Sequence, residues 1–382
     1  MPKIENLHVC EFRQLKDLHL QNLKRFNLLV GENSSGKTSV LEAISLFCRP
    51  LDALELLNVA RRREVKSSRE RLLDGVRWLF PQHAAAVSDP YFQGKISISG
   101  NGLHHSNVGI EFQGLVGDAS KPSLFDDEDE SESADDMVTT RAPLDAYETR
   151  RGAEIRMTCT TSQRLLTGAL EVKTTTFELW EDERYVSRGL SEPSAIPVTT
   201  LSPVAHRVEL IQSRQLSEAT LSGDKFSVVQ AIQLIDPQID GLEVVSRSGM
   251  ASAVWVHHAK AGFSPVSNLG DGTRRVLSIA LALQSVKGGV LLIDEVETAI
   301  HKDAFAKFFN WLFEAARFFQ VQIFATTHSL EAIDAILSVS LKQLGELVAF
   351  QLPDRDSKTK DVKRFTGEIL ESLRFEQGLD VR

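Results

Sequence analysis

The sequence has few cysteines, no excess of basic residues and no long apolar run, and each absence excludes a class of protein. Only Cys10, Cys48 and Cys159 are present, too few for a disulfide framework, and none lies in a CxxC metal or redox motif. No apolar stretch approaches the length of a membrane span, and the charged N-terminal residues do not resemble a signal peptide. The net charge of -9 argues against a protein coated in nucleic acid. We therefore expect a cytoplasmic protein that has no membrane partner.

What the sequence does contain, close to its start, is a glycine-rich loop between a short apolar strand and a helix. The loop reads GENSSGKT and comprises Gly31, Glu32, Asn33, Ser34, Ser35, Gly36, Lys37 and Thr38. This is the G-x-x-x-x-G-K-T phosphate loop, in which glycines let backbone N–H groups surround phosphate oxygens at the positive end of a helix. We expect Lys37 to reach the β and γ phosphates and Thr38 to bind Mg²⁺. The cofactors predicted are therefore ATP and Mg²⁺.

Two apolar strands later in the chain each end in polar residues. Asp294 and Glu295 follow the run VLLI, at the carboxyl end of a strand, where open α/β sheets bind ligands. Asp294 is expected to hold the metal through water, and Glu295 to polarise the attacking water as a catalytic residue. His328 follows the next strand, VQIFATT, and is interpreted as a catalytic contact to the γ-phosphate. Alone, the acids could cap a helix and the histidine could be structural, but the phosphate loop favours catalysis.

A second glycine-bearing stretch, LGDGT at residues 269–273, precedes an apolar helix. By itself it could be a loop that opens an ordinary surface helix. The two glycines would also allow the backbone to approach a phosphate at a helix N-terminus, so the residues alone leave both possibilities open. The roles of Arg274 and Arg275, facing phosphate or an interface, stay open.

These motifs, in this order, resemble the ATP-binding-cassette (ABC) class of ATPases. In that class a signature loop, here residues 269–273, meets the nucleotide held by a second subunit, so the resemblance implies that Gly270, Asp271 and Gly272 bind nucleotide. The fit to the usual L-S-G-G-Q is partial, because Gly270 replaces the serine and Thr273 the glutamine. Residues 297–301 resemble the D-loop of the class, with His301 in place of the usual aspartate. The resemblance implies a homodimer that closes around ATP, or a higher homo-oligomer.

Within the class, the segments IENLHVCEFRQLKDLHL, LGDGTRRVLSIALAL, DEVETAIH and TTHS look like the OLD-like (overcoming lysogenization defect) ATPases, bacterial relatives of the RecF and SMC heads. The resemblance covers roughly residues 1–50 and 205–352. It implies that Arg13 lies near the nucleotide and that Gln212 is the glutamine that senses Mg²⁺, although Gln215 competes for that role.

Features of some relatives are missing. The chain has no sustained heptads between its two nucleotide motifs and no zinc-hook CxxC, unlike SMC proteins and the zinc-hook repair ATPase. The stretch after His328 is also too short for the TOPRIM nuclease domain of full-length OLD proteins. We therefore expect any nuclease or toxin activity to come from a separate partner chain.

The predicted fold class is α/β, an ABC-type ATPase head with a RecA-like core, an antiparallel β lobe and an inserted helical segment. The predicted domains are a core at 1–50 and 205–352, a basic helical segment at 51–94, an antiparallel lobe at 95–204 with a disordered acidic loop at 121–140, and a helical tail at 353–382. The helical segment carries seven basic residues, Arg61, Arg62, Arg63, Lys66, Arg69, Arg71 and Arg77. A solvated helix face is favoured slightly for them over a patch that binds DNA phosphates.

Taken together, the sequence predicts a Mg²⁺-dependent ATPase that dimerises around ATP and regulates a separate effector, a nuclease or toxin, in bacterial anti-phage defence. The alternative is a RecF-like ATPase that binds DNA in repair. A transporter cassette ranks last, because it needs a membrane partner and normally lacks so large an insertion between its motifs.

Overall fold

The computed structural model describes residues 2–63, 72–82, 89–102, 105–118, 149–164, 170–181, 196–208, 213–246, 252–339, 341–354 and 361–382. The predicted acidic loop at 121–140, the candidate ligand Gln212 and three of the basic residues (Lys66, Arg69 and Arg71) lie outside these ranges. Within the described ranges, no helix is long and apolar enough to cross a membrane.

The described chain forms three sheets with helices packed around them. The strands are β1 (Asn6–Phe12), β2 (Leu15–Leu20), β3 (Phe26–Val30), β4 (Gln93–Asn101), β5 (His105–Asp118), β6 (Thr149–Arg164), β7 (Leu170–Trp180), β8 (Val198–Leu201), β9 (Ile239–Val245), β10 (Ala253–His258), β11 (Gly262–Pro265), β12 (Val290–Ile293), β13 (Gln322–Thr326), β14 (Leu347–Gln351) and β15 (Lys363–Thr366). The α-helices are α1 (Lys37–Cys48), α2 (Ala53–Arg61), α3 (Leu72–Arg77), α4 (Ala205–Val208), α5 (Ser213–Leu221), α6 (Lys225–Gln233), α7 (Asp271–Ser285), α8 (Phe305–Phe318), α9 (Leu330–Leu337), α10 (Leu341–Leu344) and α11 (Gly367–Glu371).

The central sheet has six strands in the order β15-β14-β3-β13-β12-β8. All neighbouring pairs are parallel except β14 and β15. Strands β3, β12 and β13 are buried over their whole length, as expected of parallel strands that are covered on both faces. The carboxyl ends of β3, β12 and β13 therefore lie side by side, which brings the phosphate loop, the Asp294–Glu295 pair and His328 to one edge of the sheet.

The two faces of the central sheet pack against different layers. On one face, Leu29, Leu292 and Phe324 belong to an apolar cluster that includes α1 and the antiparallel lobe. On the other, Phe26 and Leu28 join a cluster that includes α7, α8, α9 and the three-stranded sheet β11-β10-β9. The phosphate-loop helix α1 and the signature helix α7 thus lie on opposite faces of the sheet that carries Asp294.

The antiparallel lobe is a six-stranded sheet in the order β2-β1-β4-β5-β6-β7. Strands β4 to β7 are the alternating segments that the sequence predicted to form such a sheet, and their inward residues include Ile96, Ile110 and Ile155. Helices α2 and α3 match the predicted helical segment between the core and the lobe. The α/β class and the antiparallel lobe are therefore as expected.

The sheet pairings differ from the predicted domain boundaries at three places. Strands β1 and β2, expected in the core, belong to the lobe, because β1 pairs with β4. Strand β8, expected in the lobe, pairs in parallel with β12 and forms an edge of the central sheet. Strand β15, expected in a helical tail, is the opposite edge. Each of these strands is short or amphipathic, and for β1 and β8 the sheet is decided by a partner far away in the sequence.

A buried glutamine joins the N-terminal segment to the central sheet. The side chain of Gln322, at the start of β13, is 2% exposed. Its Oε1 accepts hydrogen bonds from the N–H groups of Lys3 (2.9 Å) and Ile4 (2.8 Å). Its Nε2 donates to the carbonyls of Ile4 (2.9 Å) and Lys24 (3.0 Å). One amide side chain thereby satisfies four main-chain groups on the segments that flank β1 and β2.

Candidate nucleotide-binding site

The phosphate loop, residues 31–38, takes its shape from glycines at its two ends. Gly36 has φ +95° and caps α1, and a side chain there would lie 2.9 Å from Leu15 Cδ2. Gly31 has φ +148°, and a Cβ atom would lie 3.2 Å from the carbonyl of Leu352. Both positions require a residue without a side chain. The strand–loop–helix context that the sequence predicted is present, with the loop between β3 and α1.

Lys37 and Ser35 supply polar groups inside the loop. The Lys37 ammonium donates to the carbonyls of Gly31 (2.7 Å) and Glu32 (2.8 Å). Burial lowers the pKa of Lys37, and the charges of nearby acids, Asp294 foremost, oppose this shift. Within the described chain, Ser35 Oγ is buried without a hydrogen-bond partner. A buried hydroxyl and a half-buried ammonium in a turn at a helix N-terminus fit an anion such as a phosphate.

A chain of hydrogen bonds connects the phosphate loop to the end of β12. Thr38 Oγ1 donates to Asp294 Oδ2 at 2.9 Å. The other oxygen, Oδ1, accepts a hydrogen bond from Thr326 Oγ1 at 2.6 Å. Thr326 Oγ1 also accepts from the N–H of Glu295 at 2.8 Å, so the adjacent strand orients both acids. The motifs at Thr38 and Asp294, far apart in the sequence, form one polar cluster.

Glu295 and His328, the predicted catalytic residues, lie together at this edge. Glu295 has φ +46°, a left-handed conformation that is uncommon for a residue other than glycine and that clusters at functional sites. Its Oε2 accepts a hydrogen bond from Thr298 Oγ1 at 3.1 Å, and its Oε1 lies 3.9 Å from His328 Nδ1. Both side chains are exposed, at 40% and 49%. They are therefore open to a substrate that approaches from solvent.

A second glutamate, Glu297, positions the segment that carries His328. Its Oε1 accepts hydrogen bonds from Thr327 Oγ1 (2.8 Å) and from the N–H of His328 (3.3 Å). The same oxygen lies 3.6 Å from His328 Nδ1. Glu297 thus ties the end of β13 to the turn after β12.

The donor set at Thr38 and Asp294 fits Mg²⁺. A hydroxyl and a carboxylate are hard oxygen ligands, and Mg²⁺ is usually held by one or two such side chains together with waters and substrate phosphates. Thr38 Oγ1 and Asp294 Oδ2 already lie within hydrogen-bond distance of each other. The ion would supply charge neutralisation to the phosphates when bound. Of the two glutamines considered as a third ligand, Gln212 lies outside the described residues, and Gln215 is half-buried in α5.

The signature loop, residues 269–273, opens α7 as predicted, with Gly270 at the N-cap position. A side chain at Gly270 would meet no atom of the described chain within 4 Å. A Cβ atom at Gly272 would lie 2.9 Å from the carbonyl of Ala299. Gly272 therefore allows close packing against residues 297–301 of its own chain. Gly270, in contrast, leaves its backbone open to a ligand.

Asp271, predicted to bind nucleotide, is held by two arginines. Its Oδ2 accepts a hydrogen bond from Arg207 Nε at 2.8 Å, and its Oδ1 pairs with Arg274. These hydrogen bonds lower the pKa of Asp271, Arg274 contributing most. The Asp271 carboxylate and Arg274 together form an ion-pair cluster at the start of α7.

The sequence left open whether Arg275 faces phosphate or an interface, and in the structure it does neither. It is 0% exposed, and its guanidinium donates to the carbonyl oxygens of Ser202 (2.6 Å), Asp294 (2.9 Å) and Glu295 (3.2 Å). These carbonyls lie just beyond β8 and β12. Arg275 therefore fastens the first turn of α7 to the main chain of the Asp294–Glu295 pair.

Arg13, predicted to lie near the nucleotide, contacts the helix behind the phosphate loop. Its Nε donates to Glu42 Oε2 at 2.8 Å, and Arg63 donates to the same oxygen at 2.7 Å. The Glu42 side chain is fully buried in α1. Burial lowers the pKa of Arg13, and the charge of Glu42 opposes the shift. Arg63 also donates to Ser39 Oγ at 2.9 Å, one residue after Thr38.

Some of the basic residues between α2 and α3 are used inside the head. Arg62 pairs with Glu55 at 3.0 Å, and Arg63 with Glu42, so both serve internal ion pairs rather than a wholly solvated face. Both also line a cavity of about 260 Å³ that reaches Thr38 and Asp294. The cavity gives the predicted metal position an open neighbour whose lining carries two arginines and two acids, Glu42 and Asp294.

Sequence reasoning did not assign four residues that hold the site together: Glu42, Arg275, Glu297 and Thr326. Arg275 was noted without a role, and Thr326 only as part of the segment before His328. Each acts through a partner far away in the sequence. Only Arg275 gave a local signal in the sequence. It lies in an otherwise apolar helix, so its charged side chain would have to be buried.

Comparison with known proteins agrees with this geometry. Residues 2–88 match a family described as "AAA ATPase domain", and residues 161–334 match one described as "AAA domain, putative AbiEii toxin, Type IV TA system". An uncharacterized protein of Methanocaldococcus jannaschii is 32% identical over 116 residues, which are 30% of this chain and 99% of that protein. The DNA replication and repair protein RecF of Teredinibacter turnerae is 50% identical over 47 residues, 12% of each chain.

The chain spans only 12% of that RecF and 24% of a second uncharacterized relative from M. jannaschii. Among solved structures, the SMC head bound to the C-terminal winged-helix domain of ScpA has a TM-score of 0.50 at 12% identity, covering 96% of this chain and 98% of that one. This likeness confirms the predicted ABC-type head fold. Two ATPase domain families thus match separate parts of the chain, and the fold is consistent with an ABC-type ATPase head of the RecF- and SMC-related kind.

Proposed function

We propose that this head binds ATP and Mg²⁺ at the phosphate loop and hydrolyses the nucleotide with Glu295 and His328. The observation that carries the proposal is the hydrogen-bonded series Thr38–Asp294–Thr326, which aligns the metal ligands beside Glu295. Lys37 balances phosphate charge, and Glu295 accepts a proton from the attacking water. His328, close to both Glu295 and Glu297, contacts the γ-phosphate.

Two such heads form the complete site. The signature loop opens α7 on the face of the central sheet opposite α1, and Gly270 leaves its backbone open. We infer that residues 270–273 of one head bind the γ-phosphate held by the other, which makes the interface the same on both subunits. ATP then closes the dimer, and hydrolysis reopens it.

Replacing Glu295 tests the catalytic and dimer assignments together. Glu295→Gln removes the base and is expected to lower the rate of ATP hydrolysis by about 10²-fold or more while ATP-bound dimers accumulate. Phosphate release and light scattering after size-exclusion chromatography measure both effects. Glu314→Gln, an exposed acid on α8, is the matched control and should behave as the wild type. Normal turnover in Glu295→Gln would contradict the assignment.

The biological role proposed is regulation of a separate effector, a nuclease or toxin, in anti-phage defence. The family description that names an AbiEii toxin and a TA system supports an effector-linked role. The test is purification from the native host in the ATP-locked Glu295→Gln form and in the wild type. A partner chain with nuclease or toxic activity whose yield depends on the nucleotide state supports the role, and its absence from both preparations opposes it.

A RecF-like role in DNA repair is the second candidate, because segments of 47 and 63 residues match RecF proteins at 50% and 41% identity. In that case ATP should stimulate binding to duplex DNA. The affinity should fall by about 10³-fold or more between about 50 and 200 mM salt, as several phosphate contacts require. Fluorescence anisotropy with a labelled duplex measures this, and weak binding that ATP does not change would exclude the role.

A further inference from the structure

Away from the nucleotide site, one face of the β1–β2 hairpin carries four side chains that can ligate metals. Strand residues alternate between faces, and Leu7, Val9, Leu18 and Leu20 point into the lobe core. The opposite face carries His8 and Cys10 on β1, and Asp17 and His19 on β2. His8 and His19 are direct cross-strand partners, so the register itself brings the two imidazoles together.

The ligand atoms of His8, Asp17 and His19 converge, and Cys10 lies next to His8. His8 Nε2 and His19 Nε2 lie 2.8 and 3.1 Å from the same oxygen, Asp17 Oδ1. The two rings stack with centroids 3.8 Å apart and planes at 8°. Cys10 Sγ lies 3.6 Å from His8 Nε2. Among the described residues, His8, Asp17 and His19 form a group whose ligand atoms all lie within 4.8 Å of one another.

His8, Asp17 and His19 offer three ligands for a tetrahedral zinc ion, and Cys10, whose sulfur lies outside that group of three, would have to turn toward them to supply the fourth. Zinc bonds of about 2.0–2.2 Å to nitrogen and oxygen keep such ligand atoms about 3.4 Å apart, and a Zn–S bond of about 2.3 Å places sulfur about 3.6 Å from nitrogen. Two imidazoles, a thiolate and a carboxylate suit a borderline-soft cation such as Zn²⁺ rather than Mg²⁺ or Ca²⁺. One aspartate and one thiolate also balance its charge.

We propose that His8, Cys10, Asp17 and His19 form a Zn²⁺ site on the outer face of the β1–β2 hairpin. The site is independent of the nucleotide chemistry. Its ligands lie at the edge of the lobe sheet, since β2 is the terminal strand, and His19 and Asp17 are exposed to entering metal. Bound zinc cross-links the two strands and stabilises the hairpin. Arg13 lies in the turn of this hairpin, and Leu15 begins β2.

The experiment is titration of the full chain, without a histidine tag and after chelator treatment, with Zn²⁺ alone against a chromophoric chelator. The expected result is one tightly bound zinc per chain and a higher melting temperature when zinc is present. The double variant His8→Gln/His19→Gln should bind more than about 100-fold more weakly, since loss of even an outer-shell partner costs 10–100-fold. His257→Gln, an exposed histidine on β10, is the matched control and should bind as the wild type.

Cobalt separates a thiolate ligand from a site made only of histidine and aspartate. Co²⁺ should give a near-ultraviolet thiolate-to-cobalt charge-transfer band that Cys10→Ser abolishes and His257→Gln keeps. Far-ultraviolet circular dichroism of the metal-free variants checks that they fold. Unchanged zinc stoichiometry and affinity in the double variant, or absence of zinc binding by the wild type, would overturn the proposal. A cobalt band that survives in Cys10→Ser would remove Cys10 from the site.

Discussion

At the scale of single residues, Thr326 shows how an uncharged side chain can organise an ionic site. Its hydroxyl donates to Asp294 and accepts from the N–H of Glu295, so it fixes the direction of one acid and the backbone of the next. The strand that carries it is buried, and three apolar residues separate Thr326 from Gln322 at the start of the strand. A partner that orients a metal ligand in this way usually affects metal affinity strongly.

The prediction at Thr326 concerns the Mg²⁺ requirement. Thr326→Val keeps the shape of the side chain but removes the hydroxyl, so Asp294 loses its orientation. The Mg²⁺ concentration for half-maximal ATP hydrolysis should rise by about 10- to 100-fold. Thr326→Ser retains the hydroxyl and should stay close to the wild type. A Mg²⁺ titration at saturating ATP measures the effect, and equal Mg²⁺ dependence in all three proteins would disprove it.

Cys48, in the last turn of α1, predicts a specific dependence of stability on pH. Burial, assisted by the charge of Glu55, raises the pKa of its thiol from 9.0 to about 12. Between these values the folded chain holds a proton that the unfolded chain releases, so this contribution to stability is complete below about pH 9 and declines as the pH rises toward 12.

The wild type should therefore lose roughly 1 kcal/mol more unfolding free energy than Cys48→Ala between about pH 8 and pH 10. Urea denaturation of both proteins at the two pH values measures the difference. The alanine variant is less stable overall because of the cavity it creates, but the comparison of slopes removes that constant offset. Parallel pH profiles would show that the thiol does not carry the linkage.

At the scale of elements, the two glycines at the start of α7 have different surroundings. Gly270 faces open space, with φ −61°, so a larger residue fits the folded monomer there. Gly272 lies against the carbonyl of Ala299, so a larger residue disturbs residues 297–301 of the same chain. The two glycines of one loop therefore serve different surfaces.

Gly270→Val is expected to keep the wild-type melting temperature and ATP binding by the monomer, while it blocks the surface offered to a second head and prevents dimers driven by ATP. Gly272→Val should lower the unfolding free energy by about 1–3 kcal/mol through overpacking. Thermal unfolding, nucleotide binding and light scattering distinguish the two. If Gly270→Val abolishes nucleotide binding to the monomer, the signature loop acts within its own chain.

The elements also show what the sequence can and cannot predict. The phosphate loop and the Asp294–Glu295 strand were predicted in place, because glycine spacing and a continuous apolar run are local signals. Strand β8 was assigned to the lobe because four residues, VTTL, do not say which sheet they will join. The sequence of β1 likewise does not indicate that this strand pairs with β4, because a strand with alternating apolar residues fits any antiparallel neighbour.

At the scale of the whole molecule, Gln322 connects parts that the sequence analysis treated as one domain. Its amide binds main-chain groups of Ile4 and Lys24, on either side of the β1–β2 hairpin of the lobe, from the central strand β13. Neither secondary-structure propensity nor hydrophobic periodicity indicates such a contact, because a glutamine at the start of a strand is normally a surface residue.

Gln322→Leu should leave buried N–H and carbonyl groups near Ile4 unpaired and lower the unfolding free energy by about 3 kcal/mol. Amide hydrogen exchange should accelerate most in the segment before β1. Gln14→Leu, at an exposed position, is the matched control. Unchanged exchange before β1 in Gln322→Leu would mean that the lobe is held to the core by apolar packing alone.

The buried Arg275 connects the start of α7, where the second head is proposed to bind, to the main chain of the Asp294–Glu295 pair. Its guanidinium joins the first turn of α7 to the peptides of Asp294 and Glu295, so the helix cannot shift while that backbone stays still. In the proposed dimer, a second subunit presses on the start of α7. In that arrangement, a movement at the start of α7 would reach the backbone of Glu295, the proposed base, through the single side chain of Arg275.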